Sequence, residues 1–372
     1  MNDTAITRRQ FAAVIFTAML SPLLRVLPRA AVLTAGKAAW LSLLPAALIL
    51  FGLSILMNSL RRAQGPGEGM AELILRVFGP AFGRGLLFLY AAWFLLYAGF
   101  TLRAGAQRLT ATVYLQSGPD PFILVMLVLS LPPALGTLRA TARMAVIVRA
   151  VLLAVLLFAS AFAAPNVSAQ NLFPLFPEDI PDILSGAWPI VAVGALAALF
   201  SFLNGYADPL KSPHGWTLRA LALFSLVGML LCIETVGIFG ETLTTKLSFP
   251  FFTMVRDISF FEVAQRIEAL VIVVWVFAEY MLCILLLRCA FESLRAACSL
   301  PRSEHLPTFD FRGGRWLLPV ESLAVYLCAH FIAPSAAALQ IWSERRIPLL
   351  MTAAVFGGFF LIWFVGKLRK KL

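Results

Sequence analysis

Six charged residues lie inside long apolar runs of this chain: Arg25, Arg29, Arg103, Glu234, Glu268 and Glu279. An ionised side chain at the middle of a bilayer costs at least about 2.5 kcal/mol unless it is paired or wetted, so each of these residues needs a partner, a ligand or a route to water. Counted along their runs, Arg25, Arg29, Arg103, Glu234 and Glu268 share one half of the membrane depth. This predicts an ion pair between Arg25 or Arg29 and Glu234 or Glu268. The alternative is that Arg25 and Arg29 extend to the headgroups while Glu268 anchors a helix start with Arg266. Glu268, Trp275 and Glu279 are 7 and 11 residues apart, which at about 100° per residue puts them within roughly 20° of one helical stripe. Two carboxylates cannot face lipid, so the stripe is expected to face the interior, with Trp275 a packing residue or a ligand contact and Glu279 at the floor of a cavity. A carboxyl at that depth can be protonated, pair with a base such as Arg149, or hold a coupling cation.

A second kind of chemistry belongs to the backbone. Leu20-Ser21-Pro22-Leu23-Leu24-Arg25-Val26-Leu27-Pro28 puts two prolines and an arginine where an apolar helix should continue, and Trp188-Pro189, Gly194 and Phe200-Ser201-Phe202-Leu203-Asn204-Gly205 interrupt a later run. Each proline removes a donor and crowds the preceding turn. Freed N–H and C=O groups at a half-helix end can hold the carboxylate and ammonium of a small zwitterion, although isolated prolines are also ordinary kinks. Breaks are expected near Ser21 to Arg25 and Phe200 to Gly205. The candidate ligand contacts are Ser21, Pro22, Leu23 and Leu24 in the first break and Phe200, Ser201 and Phe202 in the second. Tyr97, Thr101 and Glu279 face them. Trp93, Tyr97, Thr101 and Gly105, at steps of four, form a mildly polar face that suits either a pocket or helix packing. His214, His305 and His330 have no metal-ligand spacing, and no catalytic or nucleotide-binding motif occurs in a fitting context; no metal, cofactor or enzymatic activity is expected.

These residues must be positioned by membrane helices. The chain has 372 residues, of which 60% are hydrophobic and 13% charged, too little polar surface to coat a water-soluble globule. Its net charge of +11 reflects the location of basic loops and not nucleic-acid binding. Apolar runs predict ten transmembrane helices near 11–33, 39–60, 84–113, 121–137, 143–163, 185–205, 216–239, 262–290, 316–334 and 347–366. The predicted fold is an all-α integral membrane protein: one transmembrane unit over 1–372, made of two five-helix halves, 1–170 and 171–372. The interrupted runs open the two halves, which points to a 5+5 inverted repeat with broken helices 1 and 6. Twenty of the 30 Lys and Arg residues fall on the N-terminal side of this arrangement, predicting that both termini are cytoplasmic. The five cysteines have no paired spacing and read as small packing residues. Thr7-Arg8-Arg9-Gln10-Phe11 is similar to a twin-arginine signal, but the following run carries Arg25 and Arg29 and leads into further spans, so a retained first span is expected. The sequon Asn166-Val167-Ser168 is short enough to occur by chance.

One block is specific. Ser248-Phe249-Pro250-Phe251-Phe252-Thr253-Met254-Val255-Arg256-Asp257-Ile258-Ser259-Phe260-Phe261-Glu262, then Gln265-Arg266-Ile267-Glu268-Ala269-Leu270 and Val274-Trp275, resembles the B subunit of bacterial spore germinant receptors, the endospore germination permeases. Ile6-Thr7-Arg8-Arg9-Gln10-Phe11 and the spacing from Pro28 to Trp40 to Leu44 are similar to that family's first two spans. The chain departs from it at Ser21-Pro22, where the family has a glycine-bearing break, and at Ala104-Gly105, where an acidic residue often follows Leu102-Arg103. The resemblance implies the amino-acid/polyamine/organocation transporter fold and a role in sensing small nutrients, usually amino acids, in the inner membrane of a dormant spore. It implies an A subunit with a soluble domain and a lipoprotein C subunit as partners. A proton- or sodium-coupled amino-acid transporter, with Glu279 or Glu234 carrying the ion, is the alternative reading. A structural membrane subunit with a vestigial pocket is a third.

Overall fold

The computed structural model describes residues 6–371 apart from 66, 115, 208–213, 258–266 and 301–315. The regular structure of the described part is helical apart from one isolated pairing of Ile6 with Ala207, with turns and short irregular segments between the helices. Among the described residues, eight helical stretches are long and apolar enough to cross a membrane, and Asp120–Ala134 and Leu317–Phe331 are shorter apolar helices. At the centre is α1 (Arg8–Val26), in which every residue from Phe11 to Val26 is buried. A helix that is apolar all round has no face to offer water, and its stable place is among other helices. Its start is fixed by Thr7, which accepts from the Gln10 N–H while the Gln10 side chain accepts from the Thr7 N–H, a reciprocal cap that satisfies two orphan donors.

The chain then runs through α2 (Arg29–Ala35), a 3₁₀ segment (Gly36–Ser42), α3 (Leu43–Arg62), α4 (Met70–Phe78), α5 (Pro80–Thr112), α6 (Asp120–Leu135) and α7 (Leu138–Ala163). Next come α8 (Ile180–Gly194), α9 (Leu196–Leu199), a 3₁₀ segment (Phe200–Tyr206) and α10 (His214–Lys246), which is interrupted at Gly240. After these come α11 (Pro250–Asp257), α12 (Ile267–Ala297), α13 (Leu317–Phe331) and a last helical stretch, Ala336–Leu368. That stretch comprises α14 (Ala336–Ile341), α15 (Ile347–Thr352) and α16 (Gly358–Leu368), joined by π-bulges at Trp342–Arg346 and Ala353–Gly357. The carbonyls that a π-bulge leaves free need donors; the Tyr90 hydroxyl donates to Ala354 O at 2.8 Å. In α6, Pro132 and Pro133 remain inside the helix. Arg288 of α12 donates to the Pro133 and Gly136 carbonyls there.

Ile6 and Lys371 lie at one end of the bundle. Ile6 N–H donates to Tyr206 O, the Tyr206 hydroxyl to Glu292, Arg295 bridges Glu292 and Glu72 of α4, and Lys371 donates to Arg76 O on the same short helix. The other end, where α1 and α5 finish, is roofed by α11. This helix buries Phe251, Phe252, Met254 and Val255 and exposes Arg256 and Asp257. The sequence pattern misses α4 and α11, because eight or nine residues of amphipathic helix are too short to register as a span. The eighth run predicted to begin at 262 starts among residues outside the described set.

The two interruptions are not where the prolines alone suggest. α1 passes through Pro22 without a break and ends at Val26, with Leu27 extended (φ −87°, ψ 149°) before Pro28. A residue preceding proline is pushed away from helical ψ, and at Leu27 the chain yields to this; at Ser21 the packing around α1 holds the helix. In the second half α8 stops at Gly194 and the path tightens to 3₁₀ from Phe200 to Tyr206, so Phe200 to Gly205 is a change of helix type and not an unwound segment.

Candidate functional site

The break after α1 opens on a cavity of about 420 Å³ at the far end of the bundle. Arg25, Val26 and Arg29 line it from α1 and α2, and Phe100, Ala104, Gln107 and Thr112 from α5. Ser248, Phe249, Phe252, Thr253 and Arg256 close it from α11 and its lead-in, and Leu339, Gln340, Ser343 and Glu344 from the last helix. Ser343 and Glu344 belong to the π-bulge at Trp342–Arg346. Beneath lies a small chamber of about 10 Å³ lined by Arg25, Val26, Tyr97, Phe100, Ala192, Val193, Ser343, Ile347 and Pro348. Arg25, Val26, Phe100 and Ser343 belong to both and form the partition between them.

Aromatic stacking builds the wall. Trp93 stacks on Tyr97 (5.6 Å, 6°), Tyr97 on Phe100 (6.0 Å, 13°), and the Arg25 guanidinium lies 4.7 Å from the centre of the Phe100 ring. The step-of-four face of α5 therefore does two things: Tyr97 lines the chamber, while the Thr101 hydroxyl donates back to Tyr97 O at 2.8 Å. Ser21, Pro22, Leu23, Leu24, Phe200, Ser201 and Phe202 are buried but line neither cavity. Phe202 instead packs against Tyr90 and Phe94. The hydroxyls of Ser21 and Ser201 have no hydrogen-bond partner.

The intramembrane charges are paired differently from the sequence expectation. Arg29 pairs with Glu344 at 2.8 Å and donates through Nε to Thr245 O. Glu234 accepts from the Ser160 hydroxyl at 3.1 Å, and Arg103 donates to Ala333 O at 3.1 Å. No pair joins Arg25 or Arg29 to Glu234; the side chain of Glu268 lies outside the described residues. Glu344 escaped notice because Arg345-Arg346 reads as the boundary of a run, whereas the helix continues through it as a π-bulge.

Trp275 and Glu279 do face the interior, each 1% exposed. Glu279, however, is not the floor of the cavity. Arg108 of α5 donates to both its oxygens, at 3.0 and 2.8 Å, and lies 4.1 Å from the centre of the Trp275 ring. A bidentate guanidinium–carboxylate pair stacked on indole is the arrangement that makes two buried charges tolerable. It needs Gly105: a Cβ there would stand 2.5 Å from Glu279 Oε2. Glu321 of α13 is also enclosed, 1% exposed with both oxygens unpartnered; in the sequence it lies near the start of its run and reads as an end residue. No cluster of metal-ligating side chains occurs among the described residues.

This architecture is that of known membrane carriers. Mhp1, a nucleobase-cation-symport-1 family transporter solved in a closed conformation with bromovinylhydantoin bound, superposes with a TM-score of 0.66 at 15% identity, covering 97% of this chain and 78% of that one. MhsT in complex with L-phenylalanine gives a TM-score of 0.54 at 12% identity over 94% of this chain and 98% of its own. The chain belongs to the spore germination protein family, whose profile matches residues 5–302. A relative in Bacillus subtilis (strain 168), YfkT, whose name assigns it to spore germination, is 26% identical over 113 residues, 30% of this chain and 30% of its own length. Family and fold thus define a multi-pass, permease-like membrane protein and point away from an enzyme.

Proposed function

We propose that this chain is the membrane subunit of a spore germinant receptor, which holds a small nutrient, an amino acid, at the far-end cavity and relays occupancy to partner subunits. The observation that carries the proposal is the coincidence of germination-family membership with a cavity of about 420 Å³ at the point where α1 breaks in a carrier fold. In this reading α6 and α13 also cross the membrane, giving ten spans in two inverted halves, 1–170 and 171–372. The interruption at Leu27–Pro28 and the change to 3₁₀ geometry at Phe200–Tyr206 support it. Both termini are cytoplasmic, the membrane is the inner membrane of the spore, and the partners are an A subunit with a soluble domain and a lipoprotein C subunit. Ligand binding moves the α1 end, α11 and the last helix relative to one another, and no covalent chemistry takes place.

The test is binding of the twenty standard amino acids, one at a time, to the protein in lipid nanodiscs, followed by the germination of spores lacking the gene. Saturable binding of one or a few amino acids, with loss of the spore response to the same ones, is the expected result; binding of none, with an unchanged response to all, contradicts the proposal. A second reading, a proton- or sodium-coupled amino-acid carrier, is favoured by the likeness to Mhp1 and MhsT. Accumulation of labelled amino acid in proteoliposomes driven by an ion gradient would select it.

A further inference from the structure

We propose that Arg25 is the side-chain anchor for the ligand's carboxylate, which makes the cavity selective for small organic acids with an apolar body over amines of the same skeleton. The proposal rests on the reading of the cavity as the nutrient site and adds the chemical group that it recognises.

Arg25 is 9% exposed and lines both chambers, with Tyr97 against its guanidinium in the smaller one, and its Nε and Nη1 are buried without a hydrogen-bond partner. A buried guanidinium with orphan donors is costly, and such groups in folded proteins are normally satisfied by protein, water or ligand. Its ring partner gives the guanidinium a direction: Phe100 covers one face of the plane, and the N–H donors project from the edge of that plane, the geometry that matches a carboxylate. The neighbouring charges do not compete. Arg29 is held by Glu344 and Thr245 O, and Glu344 also accepts from Gln340 at 3.1 Å, so the carboxylate in the lining is already occupied. Arg256 is exposed on α11. Phe100, Val26, Phe252 and Leu339 provide an apolar wall for the rest of the ligand. In this chain, then, a side chain supplies the recognition that the freed backbone of a half-helix would otherwise supply alone.

Three probes with one five-carbon skeleton separate the possibilities: norvaline, pentanoate and 1-pentylamine, titrated calorimetrically into the full-length protein in nanodiscs. Norvaline and pentanoate should bind saturably and 1-pentylamine at least tenfold more weakly. Arg25→Gln should weaken both acids at least tenfold, and Arg25→Lys, which keeps the charge but not the fork, should fall between. Equal binding of amine and acid by the unmodified protein overturns the proposal without recourse to any variant, so a poorly folding variant leaves it decidable. Unchanged acid binding by a folded Arg25→Gln protein overturns it while leaving the nutrient site intact. Displacement of pentanoate by an equal concentration of inorganic phosphate overturns the carboxylate assignment in favour of a general anion site. Failure of all three probes together with all twenty amino acids overturns the wider reading as well.

Discussion

Glu279 and Trp275 were legible from spacing alone: two residues of one stripe that lipid cannot accept must point inward, and both are buried. The partner of Glu279 was not legible. Arg108 counts as an outer-end residue of its run, and only the close approach of α5 to α12 at Gly105 brings it onto Glu279. Removing one member of this pair leaves the other charged and enclosed, so Arg108→Met or Glu279→Leu alone should cost about 3–5 kcal/mol, whereas the double replacement should recover most of that loss. Thermal unfolding of detergent-solubilised protein checks this; additive losses in the double variant would contradict it. Gly105→Ala should lower the unfolding midpoint in the same assay, because its new methyl must displace a carboxylate oxygen, a strain of about 1–3 kcal/mol. A midpoint equal to that of the unaltered protein would show that the pair has room to move.

At the level of elements, the long apolar helices follow from composition, and the positions of their interruptions do not. Pro22 and Pro28 are the same residue type six positions apart, yet only the second ends a helix. What differs is the packing around them, which a single sequence does not display. The cavity has the same origin: α11 falls between two predicted spans, and the π-bulge at Trp342–Arg346 lies just before the last predicted one. Both become walls once the helices assemble. In a Cys298→Ser, Cys328→Ser background, Gln340→Cys and Ser343→Cys should react with a small membrane-impermeant thiol reagent added from the α11 side, and Ser201→Cys, buried within the 3₁₀ segment, should not. Labelling of Ser201→Cys at the rate of Ser343→Cys would contradict the assignment of the solvent path. Arg288→Ala should destabilise the protein by about 2 kcal/mol, because the carbonyls of Pro133 and Gly136 that α6 leaves free lose their charged donor; an unchanged unfolding midpoint would show that other donors replace it.

For the whole molecule, the fold of a carrier does not by itself distinguish sensing from transport. What this chain adds is an asymmetry between its ends. The end that holds Ile6 and Lys371 is joined by Tyr206, Glu292, Arg295 and Glu72, while the opposite end holds a cavity lined by an arginine whose Nε and Nη1 have no hydrogen-bond partner. Tags at the two termini should be digested from one and the same side of sealed vesicles, and digestion from opposite sides would exclude an even number of crossings. The central claim is that a small nutrient occupies the cavity at the end of α1. Its most direct measurement is the rate of thiol modification of Ser343→Cys, a partition residue of both chambers, in sealed vesicles with and without a saturating amino acid identified by binding. Occupancy should slow modification at least tenfold in a concentration-dependent way that follows the binding isotherm; a rate unchanged at saturation would place the ligand elsewhere and contradict the account.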